Sequence, residues 1–362
     1  MKGQPGSNKM IKKIATYCFV IAAISLTSCI EPFSIGLASA ANQTIVVEGM
    51  ISNSPEFQEI VLKLHYPNDS ARMISGARVL LEHEAGRKSE FSELGAGKYH
   101  PSGTLTIVEG SRYRLLIDMG DSVSIESNWQ TAPLPLGIEN GYFDAIPQIA
   151  VNDLGFDIQT NGFNYFITTA PSVNENTYMR YDYQYGYQME APFRSTLCPD
   201  CNSCFILGKS KDFIKTGDIL GGSDGQLKDF KVLFIPSNVE YSLVKTVRII
   251  QFALTEKSYE YYRLIEQQKK LEGTVFDPPP ALFETSFKDL KNPARRIYGV
   301  FDLNAVTETS VTVRKGDADF RIDTFTEVCT ERNGFGNPDR SKPECFDCKR
   351  KAGSTFNRPV WF

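Results

Sequence analysis

Short runs of alternating apolar and polar residues, separated by glycines, fill the chain from Thr44 to Ser127. In Glu59–Tyr66 every second side chain from Ile60 onward is apolar or aromatic, as in a strand with one buried face. Similar runs recur at intervals of about 8 to 14 residues, which predicts a β-sandwich of immunoglobulin or transthyretin type over residues 44–132. The other predicted strands of this region are Thr44–Ser52, 78–82, 89–93, 113–118 and 122–127.

Residues 133–362 are predicted to form a larger, mainly β domain that contains one amphipathic helix. Its clearest strand is "YMRYDYQYGYQME", in which Tyr181, Tyr183, Tyr185 and Tyr187 fall on one face. An exposed row of tyrosines would suit stacking on sugar rings or other flat ligands. The alternative is that this aromatic face packs on the core of the second domain.

The predicted helix spans residues 255–272. Thr255 suits its N-cap and Gly273 its C-terminal stop. The predicted packing stripe consists of Tyr261, Leu264, Ile265 and Leu271. Strands are predicted after it at residues 296–303 and 310–314, so the fold class is mainly β.

An apolar run directly before a cysteine predicts export. Basic residues precede the run 14–26, which is too short to span a bilayer as a helix and suits a signal peptide over residues 1–28. The following "LTSC" matches a bacterial lipobox and predicts lipidation at Cys29, with 29–43 as a tether. A plain secretory signal is the alternative, and Met1 or Met10 could be the start. The mature chain would have 334 of the 362 residues, more than one compact core usually holds.

The mature chain would be acidic, because the signal carries four lysines and no acids. Its removal shifts the net charge from −4 to −8. This balance argues against nucleic acid as a partner, since such binding rests on basic surface.

Six cysteines remain after Cys18 and Cys29 are set aside, in two clusters more than one hundred residues apart. An even number in an exported protein favours three disulfides, although sequence leaves fifteen pairings open. The two C-x-x-C pairs keep zinc as an alternative, and redox catalysis lacks a thioredoxin-like context. The disulfide candidates are Cys198, Cys201, Cys204, Cys329, Cys345 and Cys348.

Few residues point to catalysis, and no catalytic or metal-binding residue and no cofactor is predicted. "GGSDG" at Gly221 fits G-x-S-x-G, but its flanks are polar and His65, His83 and His100 all lie upstream, so a glycine-rich turn is predicted. A dispersed carboxylate pair of glycosidase type would leave no local signature. A hydrolase is therefore kept as the least favoured alternative.

Several segments together carry a resemblance that runs nearly end to end from Cys29. The chain resembles a family of Bacteroidota outer-membrane lipoproteins of undefined function, typically encoded beside TonB-dependent receptors of the Sus-like nutrient-uptake type. Such proteins tend to carry a Gly-Asn-Ile turn where this chain has "ETSF" from Glu284. The matching segments are "CIEPF", "IVVEG", "SGARV", "GKY", "GSRYRL", "YSLVKTVRIIQFALTEKSYEYYRLIEQQ", "GTVFDPPPA", "NPARRIYGVFDL" and "CFDCKRKAGSTFNRPVWF".

The resemblance implies a non-enzymatic lipoprotein at the outer membrane that serves a TonB-dependent barrel as an accessory or ligand-binding subunit. Display on the cell surface is favoured over the periplasmic face. A stand-alone surface adhesin that binds glycans or proteins through the tyrosine row is the alternative. The family carries no established catalytic residues. The ending from Asp347 to Trp361 and Phe362 reads as a tail stapled onto the fold, with the cysteine cluster at 198–204 as a candidate partner.

Overall fold

The computed structural model describes residues 44–66, 69–151, 157–174, 176–193, 198, 200–211, 213–220, 225–271, 286–330 and 342–362, all within the unit Thr44–Phe362. The predicted signal peptide 1–28, the lipidated Cys29 and the tether 29–43 lie outside the described residues. So do most of the "GGSDG" segment and the predicted helix stop at Gly273.

The described residues are predominantly β, which confirms the predicted fold class. The strands are β1 Thr44–Ser52, β2 Glu59–Tyr66, β3 Asp69–Met73, β4 Arg78–His83, β5 Lys88–Gly95, β6 Lys98–Pro101, β7 Arg112–Asp118, β8 Ser124–Ser127, β9 Gln130–Thr131, β10 Ile138–Val151, β11 Asp157–Thr169, β12 Thr177–Glu190, β13 Ser203–Lys209, β14 Lys215–Ile219, β15 Phe230–Pro236, β16 Val244–Leu254, β17 Phe287–Asp289, β18 Ile297–Arg314 and β19 Ser354–Thr355. The α-helices are α1 Glu256–Leu271 and α2 Phe325–Thr330, and the short 3₁₀ helices are Pro55–Phe57, Val239–Tyr241, Pro343–Cys345 and Cys348–Arg350.

Hydrogen bonds join sixteen of these strands into one continuous sheet, and β10, β11 and β15 form a separate three-stranded sheet. The main path of the large sheet runs β17-β8-β7-β4-β5-β6-β2-β1-β18-β16-β12-β13-β19. Its first part curls around a core that includes Val47, Leu62 and Leu115. Strands β1 and β2 coincide with the predicted runs, because their alternation matches the burial of every second side chain.

Strand β18 belongs to both halves of the sheet. Residues Ile297–Asn304 pair in parallel with β1, and residues 305–314 pair antiparallel with β16. Phe301 and Leu303 lie in the first core, and Val311 and Val313 lie in the second. The predicted sandwich over 44–132 is therefore incomplete, because a segment almost two hundred residues later in sequence completes its core. The two strands predicted at 296–303 and 310–314 are one strand.

Gly299 makes the parallel contact between β1 and β18 possible. Its φ is +110°, and a Cβ placed there would lie 2.0 Å from the backbone oxygen of Val47. Glycine alone adopts this conformation at such close approach without a clash.

The second core lies between the three-stranded sheet and one face of β12, β16 and β18. Phe163, Tyr165 and Ile167 of β11 point into it from one side. Met179 and Tyr181 of β12 meet them from the other side, with Val247 and Ile249 of β16. The opposite face of the same three strands remains available, and we call it the outer face.

Helix α1 covers one end of the outer face. Thr255 begins it as predicted: its Oγ1 accepts a hydrogen bond from the Ser258 amide at 3.3 Å. The buried side of the helix is centred on Ser258, Tyr262 and Glu266. The predicted packing stripe is thus offset, since the helix rests on polar and aromatic groups. In the described parts of the chain, no helix combines the length and apolarity required to cross a membrane.

Candidate functional site

The strand register places five rows of side chains across the outer face, and four of them define its regions. Arg180 pairs with Phe252, and Gln184 pairs with Arg248 farther along. Thr246 pairs with Thr312, and Val244 pairs with Arg314 at the far end. From Phe252 to Val244 the strand rises about 26 Å. The outer face therefore has a helix-covered end, an ionic middle and a far end.

A buried polar cluster lies under α1, formed by Arg180, Tyr262, Asp302 and Asn304. The Arg180 guanidinium lies between two rings, with its carbon 4.0 Å from the centroid of Phe252 and 4.5 Å from that of Tyr262. The Asp302 carboxylate accepts hydrogen bonds from Tyr262 Oη at 2.9 Å and from Asn304 Nδ2 at 3.1 Å. Arg180 Nη2 stays 4.0 Å from Asp302 Oδ2. The arginine is therefore held by rings more than by its counter-ion.

Both charged groups of the buried cluster are removed from water. Arg180 is 4 % exposed and Asp302 is 0 % exposed. Burial is the largest influence on the pKa of Asp302 and raises it, against the opposing effects of Arg180 and the hydrogen-bond donors. Within the described residues, Arg180 Nε and Nη2 and Asp302 Oδ1 lack hydrogen-bond partners, as does Asn304 Oδ1. Buried donors and acceptors without partners cost free energy, so this cluster does not by itself favour the folded state.

The helix is tied to the sheet by further polar contacts. Tyr259 Oη donates to Asp218 of β14. Glu266 is buried and accepts from the amide and hydroxyl of Thr216. Burial raises the pKa of Glu266, but hydrogen bonds from Lys270 and Thr216 outweigh burial and lower the pKa overall. These contacts hold α1 over one end of the outer face.

The middle of the outer face is an ion-pair network. Arg248 Nη1 lies 3.0 Å from Glu56 Oε2 and donates to Gln184 Oε1 at 2.9 Å, while its other nitrogens bond to Glu308. Every charge in this network has an opposite partner. Two carboxylates share one guanidinium, so the network is slightly acidic and offers no unpaired cation to an anionic ligand.

The far end of the outer face opens into a cavity of about 670 Å³. We call it the tail pocket, because the C-terminal tail forms one wall. Among the described residues, its lining includes three cationic residues and no Asp or Glu. The lining residues are Gln188, Phe205, Leu243, Val244, Thr246, Thr312, Arg314, Lys315, Arg358 and Phe362.

The C-terminal tail is held at this position by two contacts with the sheet and by hydrogen bonding within the tail. Thr355 of β19 pairs with Phe205 of β13, and the two terminal aromatic residues lie on β12 at Gly186. A Cβ on Gly186 would lie 3.0 Å from the Phe362 ring, so the bare backbone provides a flat seat for the tail. Arg358 Nη2 donates to the backbone oxygen of Phe362 at 2.9 Å.

A disulfide fixes the start of the tail. Cys204 of β13 forms a disulfide with Cys348. This agrees with the expectation that the tail is crosslinked to the cysteine cluster at 198–204. The other pairs are Cys198–Cys201 and Cys329–Cys345. The prediction of three disulfides is therefore confirmed by the structure. Among the described residues, no group of three or more potential ligands is arranged to hold a metal ion.

The tyrosine row does not form an exposed platform. Tyr181 and Tyr187 are fully buried, and Tyr183 and Tyr185 are half-buried. Tyr181 Oη donates to Gln251 Oε1 at 3.0 Å inside the second core. The prediction of a ligand-binding tyrosine face is thus wrong for the buried pair, because the three-stranded sheet and α2 cover it.

The half-buried tyrosines also have structural partners. Tyr183 contacts the Phe213 ring edge-on at 5.1 Å. The Tyr185 ring lies 4.6 Å from the ammonium of Lys245, a buried residue that is ion-paired with Glu240. Burial lowers the pKa of Lys245, and Glu240 opposes this effect. The row stabilises the core and a buried cation.

The residues of the buried cluster and the tail pocket were not predicted from sequence. Arg180 belongs to the polar side of the β12 alternation, which by itself predicts exposure. Its partner Asp302 is more than one hundred residues away. The three cations of the tail pocket come from a strand end and the tail, with no shared motif.

Comparison with protein families identifies the chain over most of its length. Residues 30–310 match the family described as "Domain of unknown function (DUF4249)". The chain belongs to this family. Comparisons with curated proteins and with solved structures return no match.

The residues matched to DUF4249 include the buried cluster but only part of the tail pocket. Arg314, Lys315, Arg358 and Phe362 all lie beyond residue 310. The cysteines at 329, 345 and 348 do so as well. In this DUF4249 chain, the cationic wall of the pocket therefore comes from residues outside the matched range.

Proposed function

We propose that this DUF4249 protein is a non-enzymatic, lipid-anchored outer-membrane protein, displayed on the cell surface, that holds a ligand for a TonB-dependent barrel receptor. The observation that carries the proposal is the lipobox "LTSC" ending at Cys29. It stands between a signal-like apolar run and the family match that starts at residue 30. A short tether of 29–43 would leave the β fold close to the membrane surface.

The chemistry of the tail pocket supports holding rather than hydrolysis. Its lining offers cations, hydroxyls and aromatic rings, with no carboxylate to act as acid or base. The buried carboxylates Asp302, Glu266 and Asp289 are each surrounded by donors or cations. These acids are used to hold the fold together.

The resemblance to Bacteroidota lipoproteins encoded beside Sus-like receptors supports a barrel as the partner. The sheet of sixteen strands supports the proposal, because it forms one hydrogen-bonded framework on which a surface for a barrel could be built. The alternative of an adhesin that uses the tyrosine row has lost its main support, because that row packs inside the protein.

Two measurements test this function. Mass spectrometry of the mature protein should find acylation at Cys29, and a Cys29→Ala variant should leave the membrane fraction. An unacylated mature chain, or one that starts elsewhere, would refute the anchor.

The partner is tested by affinity purification of the tagged chain from detergent-solubilised outer membranes. We expect a TonB-dependent barrel to co-purify in stoichiometric amount. An unrelated tagged lipoprotein from the same membranes serves as the control. Recovery of the chain without a barrel would refute the receptor role and leave the anchor standing.

A further inference from the structure

The tail pocket is lined by cations, although the protein as a whole carries a net negative charge. The full chain has a net charge of −4. Arg314, Lys315 and Arg358 nevertheless face one cavity. Among the described residues no salt bridge joins any of them to a carboxylate side chain, and Arg358 donates through Nε and Nη2 to the main-chain oxygen of Phe362. A concave site lined by one sign of charge concentrates ions of the opposite sign.

A comparison with the ionic middle of the outer face shows that this imbalance is local. Arg248 lies on the same face and is matched by Glu56 and Glu308. Two residues farther along β16, toward the cavity, the outward-facing pair is Thr246 and Thr312, which are uncharged. The next outward-facing pair is Val244 and Arg314. At the cavity the nearest acid given by a contact is Asp317, whose carboxylate accepts from the main-chain amide of Arg314 at 2.8 Å and makes no salt bridge with its guanidinium.

The floor of the pocket adds neutral hydrogen-bonding groups. The hydroxyl of the half-buried Thr312 faces the pocket, 2.9 Å from the hydroxyl of Thr246, which is 0 % exposed and supports Thr312 from below. The side-chain amide of Gln188 lines the same space from β12. Guanidinium groups, an ammonium and a hydroxyl together suit the oxygens of a carboxylate or phosphate group.

The tail side of the pocket supplies aromatic surface. The rings of Phe205 and Phe362 meet edge-on with centroids 5.1 Å apart. Such rings favour an apolar ring or chain on the ligand. A cavity of about 670 Å³ falls within the range that small-molecule sites occupy.

We propose that the tail pocket binds a small organic anion whose carboxylate or phosphate group contacts Arg314, Lys315 and Arg358. The apolar part of this anion lies against Phe205 and Phe362. This inference deepens the proposed function and rests on it in one respect, namely that the chain holds a ligand.

The test uses the purified full chain in detergent, without any barrel protein. Titration calorimetry and saturation-transfer NMR measure the binding of phenyl phosphate, benzoate and inorganic phosphate. The neutral probe is phenyl glucoside. We expect saturable binding of phenyl phosphate or benzoate, weaker binding of inorganic phosphate and none of phenyl glucoside. Whichever of phenyl phosphate and benzoate binds more tightly shows whether the pocket prefers a phosphate or a carboxylate group. If neither binds, the proposal is overturned.

Substitutions localise the binding. Two variants remove cations from the pocket: Arg358→Gln, and the double substitution Arg314→Gln with Lys315→Gln. Each should raise the dissociation constant by about tenfold or more. Lys257→Gln is the matched control, because Lys257 is an exposed cation on α1 at the other end of the face. It should change the constant by less than about twofold, since charges so far apart are screened.

The outcomes separate the two proposals. Equal binding by the pocket variants and the unaltered chain would overturn the site, provided circular dichroism shows both folded. Binding of phenyl glucoside as tight as that of phenyl phosphate would overturn the role of charge. Loss of the barrel partner in affinity purification, with pocket binding intact, refutes only the receptor role.

Discussion

The disulfide between Cys204 and Cys348 is the crosslink whose removal should destabilise the protein most. It closes a loop with a sequence separation of 144 residues. The perturbation is the double substitution Cys204→Ala and Cys348→Ala, which leaves no free thiol. Both cysteines are at most 1 % exposed, so alanine suits their apolar surroundings better than serine.

The magnitude follows from the loop length. In the chain-entropy description, a closed loop of this length stabilises the folded state by about 5 kcal/mol. The same relation gives about 3 kcal/mol for Cys329–Cys345, which are 16 residues apart in sequence. It gives about 1.6 kcal/mol for Cys198–Cys201, with a separation of 3. The expected order of destabilisation is therefore the order of the three loop lengths.

Urea unfolding without reductant, followed by far-ultraviolet circular dichroism, measures these differences. With a urea dependence near 3 kcal/mol per M, a loss of about 5 kcal/mol lowers the midpoint by about 1.7 M. The matched control is the double substitution Cys198→Ala and Cys201→Ala, which removes the same number of sulfur atoms and should lower the midpoint by about 0.5 M.

The reasoning would be refuted if both double variants lost the same free energy of unfolding. That result would mean that local packing around the sulfur atoms, and not loop closure, determines the effect. A loss below about 1 kcal/mol for the Cys204 and Cys348 variant would likewise contradict it, because the tail would then be held without its crosslink.

Three further predictions concern the sheet and two buried acids. Gly299→Ala should lower the free energy of unfolding in urea by at least about 3 kcal/mol, because the new Cβ would collide with β1. The control Gly316→Ala, also at positive φ but in open space, should lower it by about 1 kcal/mol. Equal losses would contradict this reasoning. Burial raises the pKa of Asp302, so its stabilising contribution is complete below the unfolded value of 3.8 and is lost as pH rises through the folded pKa. Asp302→Asn should remove the loss of stability that sets in above pH 3.8, and an unchanged pH profile would oppose this. At Asp289 burial is outweighed by backbone amide donors that lower the pKa, so its contribution is present above 3.8 and is lost as pH falls; Asp289→Asn should flatten the acid limb of the stability profile, and a steeper limb would be the contrary result.

The early strands could be predicted from sequence because their burial is regular. In β1 and β2 every second side chain enters the first core, so local alternation contains the required information. The same rule predicts that Arg180 is exposed, since it lies on the polar side of β12. It fails there because α1, about eighty residues later, covers that position. Burial that depends on a distant element leaves no local pattern.

Strand β18 shows a second limit of local reasoning. Its sequence predicts two strands, because polar residues between Ala305 and Ser310 interrupt the apolar runs. In the structure the first run faces one core and the second run faces the other, with the polar residues at the crossing. A single sequence cannot show that consecutive residues of one strand serve two cores.

The tail pocket could not be predicted for a related reason. Surface cations such as Lys315 and Arg358 resemble any other exposed cations until the tail is placed. Their convergence depends on the disulfide to Cys348 and on the seat at Gly186, two contacts between distant parts of the chain. The cysteine count predicted crosslinks, but the pairing that brings the tail to β13 required the fold.

The division between the family match and the tail has a consequence for specificity. The match to DUF4249 ends at residue 310, inside β18, after both cores have received most of their strands. The matched part thus contains the shared sheet and the helix-covered cluster. The cations Arg314, Lys315 and Arg358 and the crosslink at Cys348 come afterwards. The side chains of the three cations can change without disturbing the sheet, because they lie at the end of β18 and on the tail, whereas the crosslink at Cys348 is needed to hold the tail in place. Ligand preference at this pocket should therefore follow the sequence of the tail, while stability follows β18 and its pairing with β1.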